Sequence, residues 1–273
     1  MPKQPDNSQT PTPLVEVRRL FKSFDEKQVL NGINARFEER KTTVVLGPSG
    51  CGKSVLLKHL IGLLRPDSGE VYFDGARVDT IPEKKMTPLR RQFGFLFQMG
   101  ALFDSLDVRG NIDFPLREAG VEDPTEREER IQDVLAMVGL ESTIDMMPAD
   151  LSGGQRKRIA LARSIVLKPR VILYDEPTTG LDPIRSDVIN ELILKLQREL
   201  DATSIVVTHD LTSAFKVADH MILLLGGEVV LEGPPDLFRE PEDSEVRRFM
   251  EGRASDEDLR AIRPQVPLTE VNT

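Results

Sequence analysis

The sequence predicts an α/β protein built on a mostly parallel sheet. Three observations lead there. Short runs rich in β-branched residues and leucine, such as "TTVVL", "VILY" and "SIVVT", have the length of strands. Helical patterns lie between them, and alternation of the two implies parallel strands with helices packed on the sheet. At 273 residues with 39% hydrophobic content, the chain is long enough to bury a sizeable core, as one large domain or two small ones.

The elements follow in order. Residues 1–13, "MPKQPDNSQTPTP", are polar and proline-rich and are expected to be a disordered tail. From Leu14 to about Leu46 strand-like runs dominate: "LVEVRRL", "INARFEE", "TTVVLG". After Gly52, "KSVLLKHLIGLL" reads as a helix. From about residue 99 to 166 helical segments prevail, among them "TEREERIQDVLAMVGL", and this stretch reads as a helical insertion. Strand and helix then alternate again through "RVILYDEP", a helix from Ile184 to Leu200, "SIVVTHD", a short helix and "HMILLLGGEVVLEG". In the long helix Ile184, Val188, Leu192, Leu196 and Leu200 recur every four residues, and this row is expected to lie on the sheet. Residues 253–273 are polar with one weakly helical segment, "SDEDLRAI".

Composition narrows the function. The formal net charge is −9, which argues against a general nucleic-acid binder, whose footprint is basic. The single cysteine, Cys51, allows no internal disulfide. The N-terminus lacks the apolar core of a secretory signal. No window approaches the ~20 apolar residues that span a bilayer. The simplest expectation is a soluble cytoplasmic protein whose membrane role, if it has one, needs a partner.

The strongest motif is "GPSGCGKS", formed by Gly47, Pro48, Ser49, Gly50, Cys51, Gly52, Lys53 and Ser54. It matches the G-x-x-x-x-G-K-[ST] phosphate loop in full and stands between an apolar strand and a helix. Glycines let backbone N–H groups turn inward around phosphates, and the following helix presents its positive end to the same charge. Lys53 neutralises phosphate oxygens, and the Ser54 hydroxyl suits a Mg²⁺ ion.

Ligands of open α/β sheets sit beyond the carboxyl ends of the strands. After "TTVVL" comes the phosphate loop, after "FGFLF" Gln98, after "VILY" Asp175 and Glu176, and after "SIVVT" His209. If those strands share one parallel sheet, the groups line one edge. Asp175 then suits the metal or a water on it, and Glu176 suits the general base that polarises an attacking water. Gln98 reaches metal and water through its side-chain oxygen, and His209 holds the γ-phosphate and the water in line.

A second cradle reads "LSGGQRKRIALARSIV" from Leu151. Ser152 and Gln155 have the spacing of a capping box. Gly153 and Gly154 each cost a helix roughly 1 kcal/mol against alanine, a cost that makes sense if something must approach the backbone closely. A phosphate at the helix N-terminus fits, and Arg156, Lys157 and Arg158 add positive charge nearby. The residues alone allow both cradles to serve one nucleotide within one chain, or two chains to share them.

These motifs resemble those of the ABC ATPases, over roughly Leu14 to Gly252. "LSGGQ" is similar to their signature motif, Gly47 to Ser54 to their Walker A, Gln98 to the Q-loop, "VILYDE" to Walker B, Asp182 in "GLDP" to the D-loop and His209 to the H-loop. Phe24 in "LFKSF" resembles the aromatic that stacks on adenine, although tyrosine is commoner there. The resemblance implies the P-loop NTPase fold of ABC ATPases: a mostly parallel core sheet, an antiparallel β part and an inserted helical subdomain. It implies ATP and Mg²⁺ as ligands. It also implies a head-to-tail homodimer in which Walker A of one chain and the signature helix of the other sandwich each ATP.

In transporters of this family the helical region after the Q-loop receives a coupling helix from a membrane permease. Here "GALF", "FPLRE" and the end "PEDSEVRRFMEG" resemble the ATPases of Mla- and Mce-type lipid transporters, which move phospholipid between bacterial membranes. That implies a chain on the cytoplasmic face of the bacterial inner membrane, held by permease subunits and working with Mce-domain lipid-binding subunits, with no nucleic acid involved. Residues 253–273 then form a C-terminal extension that reaches the neighbouring ATPase, or a disordered tail. Amino-acid importer ATPases share much of the pattern. Soluble ABC proteins and cassettes that bind ATP without hydrolysing it are the alternatives of another class.

Overall fold

The computed structural model describes residues 13–254 and residue 259. The expected N-terminal tail, except residue 13, and the segment "SDEDLRAI", except Leu259, lie outside the described residues. By its contacts the chain divides into a unit ending at Pro235 and a second beginning at Asp236, and each is described by itself.

In chain order the first unit contains β1 (Val15–Phe24), β2 (Lys27–Phe37), β3 (Thr42–Leu46), α1 (Lys53–Leu60), β4 (Ser68–Phe73), β5 (Ala76–Arg77), α2 (Thr87–Arg90) and β6 (Phe93–Leu96). It continues with α3 (Val108–Glu118), α4 (Pro124–Val138), α5 (Gly153–Ile165), β7 (Val171–Asp175), α6 (Pro183–Glu199), β8 (Thr203–Thr208), α7 (Leu211–Val217), β9 (His220–Leu225) and β10 (Glu228–Gly233). The second unit carries α8 (Ser244–Met250), capped by the Asp243 carboxylate.

Two sheets form. The smaller is antiparallel, in the order β2-β1-β4-β5. The larger runs β10-β9-β3-β8-β7-β6, parallel throughout except for β10 against β9. Every residue of β3, β7 and β8 is buried, as expected of central parallel strands covered on both faces. The fold is α/β with a mixed sheet, as expected.

One apolar cluster joins the two sheets, with α1 inside it. Leu56, Leu57 and Leu60 of α1 pack with Val15, Leu20 and Phe37 of the small sheet and with Val45, Leu173 and Val207 of the large one. All three leucines are fully buried, each worth about 1.5–3 kcal/mol of transfer free energy. This anchors the helix that follows the phosphate loop.

The long helix corrects one expectation. Ile184 and Val188 are 79% and 43% exposed, while Ile189, Leu192, Ile193 and Leu196 are buried. A step of four overshoots a full turn by about 40°, so a strict row of fours winds off the contact face. Alternating steps of three and four keep to it. Asp182 caps this helix, accepting a 2.9 Å hydrogen bond from the Arg185 amide.

Candidate active site

The strand order brings the sequence motifs together. β3, β8, β7 and β6 are consecutive neighbours, so the phosphate loop, His209, the Asp175–Glu176 pair and Gln98 follow four adjacent strand ends. One cavity of about 340 Å³ is lined by Ser49, Lys53, Ser54, Gln98, Glu176 and His209, among others.

The phosphate loop takes its shape from its glycines. Gly52 has φ +106, and a Cβ there would stand 2.9 Å from the Val29 carbonyl oxygen, so a larger residue fits neither the backbone nor the space. Gly50 has φ +80 with open space around it. Lys53, only 5% exposed, reaches back over the loop, and its ammonium donates to the carbonyls of Gly47 (2.8 Å) and Pro48 (3.0 Å). The same ammonium lies 3.4 Å from Glu176 Oε1. Cys51 is buried, and a Cβ on Gly47 would meet its Sγ at 2.6 Å, so the thiol is packed under the loop.

Two buried carboxylates stand side by side at the end of β7. Asp175 accepts a 2.7 Å hydrogen bond from the Ser54 hydroxyl. Burial pushes its carboxyl above the ordinary range and the Glu176 charge adds to this, while the Ser54 hydrogen bond opposes it. Glu176 adopts φ +50, a left-handed conformation uncommon for its type, and its amide bonds the Val207 carbonyl at 2.9 Å. Its Oε2 meets His209 Nδ1 at 2.9 Å and accepts from the hydroxyls of Thr208 and Thr179, both at 3.3 Å. The carboxylate is therefore held by a lysine, a histidine and two threonines. Ser54 and Asp175 together present hard oxygen donors of the kind Mg²⁺ takes.

Other expected site residues lie elsewhere. Phe24, 42% exposed, ends β1 with the Lys22 ammonium 5.4 Å from its ring centroid, and it does not line the cavity. Ser152 forms the full capping box, accepting from the Gln155 amide (3.3 Å) while the Gln155 side chain takes the Ser152 amide (2.8 Å). Neither they nor Asp182 line the cavity. A Cβ on Gly153 would meet nothing within 4 Å, whereas one on Gly154 would touch the Arg185 side chain at 3.4 Å.

The basic run after the signature motif departs from expectation. Arg156 donates to the Leu151 carbonyl, Arg158 to that of Val138, and Lys157 to those of Pro177 and Thr179. All three are engaged with backbone of this chain. Sequence reasoning also missed Thr179 and Thr208. Their signal was position, since both stand within three residues of Glu176 or His209.

The pattern that defines the ABC transporter family matches residues 30–179. The chain is 40% identical over 239 residues to the probable ribonucleotide transport ATP-binding protein mkl of Mycobacterium tuberculosis (strain H37Rv), covering 88% of this chain and 67% of that one. It is 35% identical over 241 residues to the intermembrane phospholipid transport system ATP-binding protein MlaF of Escherichia coli (strain K12), covering 88% and 90%. The fold matches the dimeric post-hydrolysis structure of the ATP-binding cassette MJ0796 bound to ADP and Pi, with a TM-score of 0.75 and 34% identity, over 81% of this chain and 98% of that one. Motifs, strand order and relatives agree: the chain belongs to the ABC transporter family and is an ATPase of that family.

Proposed function

We propose that this chain is the ATP-hydrolysing motor of a membrane transporter that moves phospholipid, and that it works as a head-to-tail homodimer. The observation that carries the hydrolytic reading is the Glu176 carboxylate, held 3.4 Å from Lys53 and 2.9 Å from His209 on the cavity of the phosphate loop. Glu176 takes the proton of the attacking water, His209 orients the water and the γ-phosphate, and Gln98 closes the same cavity. Lys53 and the loop amides bind the phosphates, and Phe24 offers its exposed ring to adenine. Ser54 and Asp175, with Gln98, would hold Mg²⁺, which supplies Lewis-acid polarisation of phosphate oxygens.

The dimer reading rests on Gly153. Nothing in this chain requires glycine there, since a side chain would stand in open space. A nucleotide brought by a second copy, approaching Ser152, Gly153, Gly154 and Gln155 closely, does require it. The relative MJ0796 is dimeric, which supports a second copy. Asp182 then lies at the same interface.

No helix among the described residues is long and apolar enough to cross a membrane, so transport needs a permease. A groove of about 540 Å³ lined by Phe93, Phe95, Phe97, Phe103 and Phe114 suits the coupling helix of such a partner. Phe97, Phe103 and Phe114 are 37–42% exposed, an aromatic surface that a helix would cover. The lipid reading is supported by the phospholipid-transport relatives, and the Mce-domain partner and the cytoplasmic face of the bacterial inner membrane are proposed with it. The name of the mycobacterial relative favours a second cargo, ribonucleotide. The domain reading is 14–252 for the ATPase, with 99–166 as helical subdomain and 253–273, most of which lies outside the described residues, as a C-terminal extension.

The test is a gentle detergent pull-down of this chain from its own membranes, with mass spectrometry of copurifying proteins and lipids. A permease with an Mce-domain subunit and bound phospholipid is expected. A permease with a soluble solute-binding protein would replace the cargo, and absence of any permease would overturn the transporter reading.

A further inference from the structure

Lys157 is 7% exposed, and among the described residues no ion pair within 4.0 Å includes it. Its ammonium donates to the carbonyls of Thr179 (2.6 Å) and Pro177 (2.8 Å), with that of Glu176 at 3.4 Å. An ammonium has three donors, and here three carbonyls take them. Burying a cation without a paired carboxylate is costly, and a neutral chain of similar shape would cost less. The cation therefore needs a reason beyond packing.

The reason lies in what the three carbonyls belong to. They span the turn that leaves β7, and that turn carries Glu176 in its left-handed conformation at φ +50. Thr179, the third residue gripped, returns its own hydroxyl to Glu176 Oε2. One lysine thus holds the backbone beneath the carboxylate and one of the side chains against it. At its other end Lys157 stands on α5, one turn after Gly153 and Gly154.

We propose that Lys157 is a positioning residue for hydrolysis: its ammonium locks the Glu176 turn to the signature helix, so that the catalytic carboxylate reaches its working position only when α5 is seated. This rests on the base role of Glu176 and on the shared nucleotide. With α5 facing the second copy's nucleotide, closure of one site presents the base of the other. Lys157 touches neither ATP nor the reacting water.

The test compares Lys157→Met, which keeps length and loses the donors, with Lys157→Arg, which keeps charge and donors, in the transporter copurified from its own membranes. Turnover and KM are measured for ATP, with equilibrium binding of a fluorescent nucleotide to the purified chain. Misplacing a catalytic group by about 1 Å costs on the order of 10²-fold, so Lys157→Met should lose about that in kcat. Nucleotide binding and KM should stay within about two- to three-fold of wild type. Lys157→Arg should recover most of the lost turnover. Wild-type kcat in a folded Met variant overturns the proposal. So does a parallel loss of binding and turnover, which marks a merely structural lysine, or an Arg variant no better than Met. Should the Met chain fail to fold, Lys157→Gln is read in its place by the same criteria. Glu176→Gln is assayed alongside: if it turns over normally, the base assignment fails, independently of Lys157.

Discussion

The Ser54 hydroxyl donates a 2.7 Å hydrogen bond to the Asp175 carboxylate, closing a distance of 121 residues along the chain. The contact joins the phosphate loop to the end of β7 through side chains alone, since β8 lies between their strands. Both oxygens are expected to ligate the same ion. Asp175→Asn removes the charge and should weaken Mg²⁺-dependent nucleotide binding by at least the 10- to 100-fold that loss of an outer partner costs a metal site. Binding titrations with and without Mg²⁺ check this. Equal loss in both would remove Asp175 from the metal role.

Glu176→Gln keeps the shape of the carboxyl group and its contacts with the two threonines while removing the base. Turnover should fall about 10²- to 10⁴-fold, with nucleotide binding retained. The closed dimer should accumulate with ATP, visible as a doubled mass in size-exclusion chromatography with light scattering. Normal phosphate release from this variant would remove Glu176 from the base role.

Lys53→Ala acts earlier. A hydrogen bond to a charged group is worth roughly 1.5–3 kcal/mol, so the loss of this ammonium should weaken ATP binding by at least about ten-fold. Isothermal titration reads it directly. Wild-type affinity would contradict the phosphate-loop assignment.

The thiol of Cys51 is buried, and burial raises it above the ordinary thiol range, with the Lys53 charge opposing. The reactive thiolate is therefore scarce at neutral pH. Maleimide labelling of the folded chain should run about ten-fold or more slower than in the urea-unfolded chain, and ATP should slow it further. The fraction that does react should lose nucleotide binding. Rapid, complete labelling with binding intact would show that the thiol is not packed under the phosphate loop.

Burial pushes the Lys157 ammonium from 10.5 down to about 8, against the attraction of the Glu176 carboxylate. Above about pH 8 the neutral amine has two donors for three carbonyls, so turnover should decline there, while Lys157→Arg should stay flat. Stability behaves oppositely. Between about pH 8 and 10.5 the unfolded chain keeps a proton that the folded chain has shed, so this group's contribution to stability rises with pH. A turnover decline across pH 8 without a fall in melting temperature separates positioning from unfolding. A profile unchanged in Lys157→Arg would remove Lys157 as its source.

Much of this was legible from residues in a row. The phosphate loop, the capping box and the apolar runs are local patterns, each with a local cause. What the pattern does not carry is direction. Arg156, Lys157 and Arg158 read as charge offered outward, because charged residues are seldom buried. Yet Lys157 shares the buried stripe of α5 with Gly154, Leu161 and Ile165, and a lysine in an apolar stripe was the signal available. The same limit misled the reading of α6, where a row of fours was taken for a face. Nor does spacing show that β8 enters between β3 and β7, since that depends on pairing across more than a hundred residues.

That strand order bears on how the site is made. β8 pairs with β3 through Val45 and Val207 and with β7 through Asp175 and the same Val207. A growing chain that has passed Glu176 already carries the phosphate loop, Asp175 and Glu176. It still lacks the strand that joins them. Until Thr203–Thr208 has been synthesised and inserted, β3 and β7 have no common neighbour, and each shows an open edge able to pair wrongly. The phosphate loop, Asp175 and Glu176 are thus present well before the site can form, and a chain ended before Thr203 would keep them while lacking both β8 and His209.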